Sequence, residues 1–189
     1  MNSFSGGERN RLFLQANENF VDASLVSGID SGQDGRGFGL FDFDRDGLTD
    51  FAIASAQSPS FRIVRNCIGG QATSDDSPRT ASITLIGGHN EASGNFKLSP
   101  RDPYGAEVRV FSGGFERVYL YSCGEGLSTQ NSKWISIGLG SQSQIDKIEV
   151  RWPSGKVTQF ENLSAGKRLT LFENQDMAPQ IESLVSKDP

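Results

Sequence analysis

In most segments of this chain that carry apolar residues, those residues recur at every second position. In Glu107-Val108-Arg109-Val110 and in Lys147-Ile148-Glu149-Val150-Arg151-Trp152 the apolar side chains alternate with charged ones. A strand built this way buries one face and wets the other. Shorter runs of the same kind lie at 11–15, 38–43, 51–55, 61–65, 81–86, 118–122, 134–139, 157–160 and 168–172, set apart by Gly, Ser, Asp and Pro. The pattern predicts an all-β chain of half-buried strands in antiparallel sheets. Trp152-Pro153-Ser154-Gly155 falls between two strands and predicts a hairpin turn, with Pro presetting one φ and Gly free to take a left-handed one. Only 176–189 is expected to form a short helix, at the periphery.

Residues 69–79 are small, polar and turn-forming, with no apolar period, and read as a linker. The expected organisation is therefore a unit over 1–68, a linker over 69–79, a second β-domain over 80–173 and a tail over 174–189.

Composition narrows the class of partner. There are 18 basic and 23 acidic residues, a net charge of -5, with no Lys/Arg run. That balance argues against nucleic acid or an anionic membrane surface and favours a cation. No run approaches the ~20 apolar residues of a membrane-spanning helix, so membrane insertion is not expected. Residues 1–8 lack the apolar core of a signal peptide. Cys67 and Cys123 leave two readings open, one bridge in an exported chain or two buried thiols.

The most specific pattern is Asp42-Phe43-Asp44-Arg45-Asp46-Gly47-Leu48-Thr49-Asp50. Carboxylates at loop positions 1, 3, 5 and 9, with Gly at 6, suit a single hard cation, and the carbonyl of Leu48 at position 7 adds a backbone ligand. Calcium fits better than magnesium because it accepts 6–8 oxygens in flexible geometry. The twelfth position is Ile53, where an EF-hand needs Glu, and 51–55 reads as a strand. The metal ligands expected are thus Asp42, Asp44, Asp46, Leu48 and Asp50, with calcium the one cofactor.

Gly37 to Ala54, which contains this loop, resembles an FG-GAP/VCBS repeat, the calcium-binding blade of integrin-α-like β-propellers. The resemblance implies the same five ligands, with residues 11–15 and 20–24 as preceding strands. Further on, Tyr104-Gly105-Ala106-Glu107-Val108, Gly126-Leu127-Ser128-Thr129-Gln130, Gly138-Leu139-Gly140, Ile145-Asp146, Trp152-Pro153-Ser154-Gly155 and Ala165-Gly166 follow the order of an ASPIC/UnbV domain. That second resemblance covers about 80–173. Together the two are similar to the cartilage acidic protein family. They imply a partial propeller-type blade followed by an antiparallel β-sandwich-like domain, in a secreted or cell-surface calcium-binding protein.

One acidic loop cannot furnish a closed propeller, which needs at least four blades, so Met1 is expected to begin a truncated form of a longer exported protein. The expected function is a non-enzymatic extracellular interaction or adhesion module, with calcium in a structural role and a protein or glycan as partner. The alternative is a carbohydrate-binding accessory module, or a metal-dependent hydrolase. Catalysis would need an open coordination position and a separate acid or base, and no second cluster is visible. Among weaker signals, Phe115, Arg117, Tyr119 and Tyr121 share a strand face and are assigned to core packing. Residues 35–39 are taken as tight-turn glycines rather than a phosphate loop, and His89 as a surface residue.

Overall fold

The computed structural model describes residues 7–67, 79–88, 97–126, 128–174 and 176–184. These form thirteen strands, and no helix occurs among them, as the period-two pattern predicts. Two compact units result: one holds residues 1–41, 50–66 and 124–131, the other 42–49, 67–123 and 132–189. The expected linker lies outside the described residues except for Arg79, which opens a strand. His89 also lies outside them.

In the first unit, β1 (Phe13–Ala16) and β2 (Asn19–Asp22) form a hairpin, turned at Asn17 with φ 57°. Strands β3 (Gly35–Phe41), β4 (Asp50–Ser55) and β5 (Phe61–Val64) form an antiparallel meander with β4 central. The glycines at 35, 37 and 39 belong to β3 itself, with a bulge between Gly35 and Gly37, and not to a tight turn. Among the described residues of this unit Ala23, Ile29 and Ile53 are the buried hydrophobics, whereas Phe13, Phe20, Phe38 and Phe61 are exposed. Alternation makes the strands, but it gathers little apolar surface.

The second unit is a sandwich. One sheet has the order β11-β10-β7-β8, from β7 (Glu107–Ser112), β8 (Phe115–Leu120), β10 (Gln144–Arg151) and β11 (Val157–Ser164), all antiparallel. The other has the order β13-β12-β6-β9, from β6 (Arg79–Ile86), β9 (Ile135–Gly140), β12 (Lys167–Phe172) and β13 (Gln180–Ser183). This sheet is mixed, because β6 and β12 run parallel. Parallel strands need a crossover, here a connection that carries the whole of the facing sheet. Ala81, Ile83, Leu85, Ile137, Leu139, Leu169 and Leu171 meet Val108, Val110, Ile148 and Val150 in one core. Phe115 and Tyr119 pack on it and Tyr121 is part of it, as core packing predicts.

The turn at Trp152–Gly155 forms where the sequence places it. Gly155 donates its N–H to the Trp152 carbonyl at 2.9 Å, the Trp152 N–H to the carbonyl of Lys156 at 2.9 Å, and Gly155 has φ 88°. That is a three-residue loop closed by a left-handed glycine. The tail departs from expectation: Gln180–Ser183 pairs as β13 with the exposed edge of β12, and no helix forms among its described residues. Pro179 bars the preceding residue from helical geometry, and an unpaired strand edge satisfies the backbone that follows. Cys67 and Cys123 are both free and exposed, so neither a bridge nor burial holds.

Candidate metal centre

The β3–β4 pair closes on Phe41 opposite Asp50, and the intervening residues form the acidic loop. Two of them lie in the left-handed region, Arg45 at φ 62° and Gly47 at φ 86°. For Gly47 the requirement is steric as well. A Cβ there would collide with Thr80 Oγ1 and come within 2.6 Å of Leu184 Cδ1. The turn of the loop is thus seated on β6 and on the residue after β13.

The fold brings three of the expected ligands together. A carboxylate oxygen from each of Asp42, Asp44 and Asp50 lies within 4.8 Å of the others. Asp50 is wholly buried and Oδ1 accepts from the Asn66 N–H at 2.7 Å. Asp42 Oδ2 accepts from the Gly47 N–H at 3.1 Å, while Oδ1 is shielded from solvent with no hydrogen-bond partner. Asp46 stands outside the group of three, and Oδ1 accepts from the Leu48 N–H at 2.8 Å. Burial pushes the Asp42 carboxyl above its ordinary range. The neighbouring charges of Asp46 and Asp44 push the same way, against the Gly47 N–H and the Arg168 guanidinium. Two carboxylates ~5 Å apart repel by about 3 kcal/mol at an effective dielectric near 20. A solvent-shielded, unpartnered carboxylate oxygen beside two further carboxylates is a donor set that suits a hard cation such as calcium.

Sequence reasoning missed Arg168, a buried residue on the sheet under this loop. The local signal was available: Lys167-Arg168-Leu169-Thr170-Leu171 alternates, which puts Arg168 on the face opposite the core leucines. Glu173 was missed as well. It is fully buried just past β12, and its carboxylate accepts from the Gly88 N–H at 2.9 Å, the Ser99 N–H at 2.7 Å, the Ser99 hydroxyl at 3.0 Å and the Ser154 hydroxyl. Burial alone would push the Glu173 carboxyl above its ordinary range, but these four donors outweigh it and hold it below that range. The cluster ties the Trp152–Gly155 turn and the 97–100 segment to the end of β12.

No curated protein matches the chain. Residues 97–178 match the family model described as ASPIC and UnbV. The matched stretch holds β7 to β12, the Trp152–Gly155 turn and Glu173, but not β6, the strand that stands between β12 and β9 in the mixed sheet. The chain is thus similar to the ASPIC and UnbV family over residues 97–178, a little under half of its length.

Proposed function

We propose that the chain is a calcium-binding interaction module of the extracellular space or cell surface, non-enzymatic, with calcium in a structural role. Asp42, Asp44, Asp46 and Asp50 would supply carboxylates and Leu48 a carbonyl, in an FG-GAP/VCBS-type repeat. The observation that carries this reading is the buried, unpartnered Oδ1 of Asp42 beside the carboxylates of Asp44 and Asp50. Bound calcium would offset the repulsion among these charges and fix the connection between β3 and β4.

A cleft in the first unit bears on the partner. Its apolar lining includes Leu12, Phe38, Leu40, Phe51 and Ile53. Polar groups in the lining are engaged within the chain: Arg11 with Asp22 at 3.1 Å, Arg36 with Asp34, and Asn131 Oδ1 with the Leu40 N–H at 2.8 Å. Such a surface suits apolar side chains of a protein better than the hydroxyls of a glycan.

Thermal unfolding with ~10 mM calcium, with magnesium and with chelator, run beside Asp44→Ala, tests the reading. For a site of ~10⁻⁴–10⁻³ M affinity, calcium adds about 1.4–2.7 kcal/mol. That corresponds to a midpoint rise of roughly 3–10 °C. The expected result is a calcium-specific rise that Asp44→Ala abolishes. An unchanged midpoint together with a flat calorimetric titration refutes it.

A further inference from the structure

Arg168 sits on the opposite face of β12 from Leu169 and Leu171, which enter the core. It pairs in register with Ser82 of β6, so the two share a sheet face, and Thr80, two residues earlier on β6, lies on that face as well. Thr80 and Leu184 are the residues on which Gly47 of the acidic loop is seated. The register therefore puts Arg168 on the face that the loop covers. Arg168 is 8% exposed, its guanidinium lies 4.1 Å from the Trp134 ring centroid, and Nε has no hydrogen-bond partner. Ser82 Oγ beside it is also buried and unpartnered. A cation this far from water requires compensating charge, and the acidic loop is seated on the sheet face that Arg168 occupies.

We propose that Arg168 is a resident counter-ion of the acidic loop that competes with the bound metal, holding the loop on the sheet when metal is absent and weakening its affinity for calcium when metal arrives. The proposal rests on the calcium reading above and deepens it by naming what sets the affinity. A cation and a guanidinium that share a carboxylate cluster repel each other, so each is bound less tightly in the presence of the other. The arrangement would keep the site empty until calcium reaches the high concentrations found outside cells.

Calcium titration calorimetry on the wild-type chain, Arg168→Gln, Arg168→Met and Arg168→Lys is the test, with each variant also melted in chelator and in saturating calcium. Both neutral variants should bind calcium about tenfold more tightly, and Arg168→Lys should stay within roughly threefold of wild type. In chelator the neutral variants should melt below wild type, and saturating calcium should close that gap. Unchanged or weaker affinity in a folded neutral variant overturns the proposal. So does failure of both neutral variants to fold in saturating calcium, because a metal that replaces the charge should restore the loop. Should no variant bind calcium, the calcium reading falls and the competition with it. A double-mutant cycle of Arg168→Gln with Asp42→Asn in chelator then decides the counter-ion role alone, with additivity counting against it.

Discussion

Replacing Glu173 by glutamine tests whether a single buried carboxylate organises one end of the sandwich. Glu173 is fully buried and accepts four hydrogen bonds, from Gly88, twice from Ser99 and from Ser154, with Ser99 itself 1% exposed. Glutamine keeps one acceptor oxygen and turns the other into a donor, which then faces donors. Hydrogen bonds to a charged group are worth about 1.5–3 kcal/mol, and an orphaned buried donor costs about 1–3. Because the four share one network, the losses do not sum, and about 3 kcal/mol is expected for Glu173→Gln. For a chain of this length that is a fall in midpoint of roughly 6–12 °C. The pH dependence gives the sharper discrimination. The folded-state value lies below the ordinary 4.5, so the carboxylate adds stability above about pH 4.5 and loses it as pH falls through the lower folded value. Thermal unfolding of both proteins followed by circular dichroism from pH 7 downwards should show a gap that is constant above pH ~5 and narrows in acid. A glutamine variant as stable as wild type, or a gap as wide at low pH as at pH 7, would refute the reasoning.

Two other substitutions probe the frame around the sites. Gly47→Ala forces a side chain into φ 86° and against Thr80 and Leu184, so a loss of at least about 2 kcal/mol is expected in urea unfolding, against about 1 kcal/mol from the backbone alone if the loop stands free of the sheet. Tyr121→Phe deletes the buried hydroxyl 3.0 Å from Thr84 Oγ1 and should cost about 1–2 kcal/mol, with no loss if that pair is spectator to folding.

Much of this protein is local and could be read in order along the chain. Alternation in 107–110, 147–152 and 168–172 marks strands because each side chain's burial depends on a two-residue period. The Trp152–Gly155 turn and the left-handed Gly47 follow from the φ values that Pro and Gly favour. The spacing of Asp42, Asp44 and Asp50 is likewise enough to bring their carboxylates together, since one hairpin loop holds the first two and the strand that leaves it opens on the third. Partner choice between distant strands has no such local signal. Nothing in 79–86 or 167–172 says that these segments run parallel, and the four-residue β13 took an edge that its sequence leaves ambiguous. Register has the same character: it alone places Arg168 on the face beneath the acidic loop and carries Glu173 to Gly88, Ser99 and Ser154. Alternation assigns a residue to one of two faces, but what covers that face is decided by strands and loops distant in the chain, through packing that only the assembled sheets can offer.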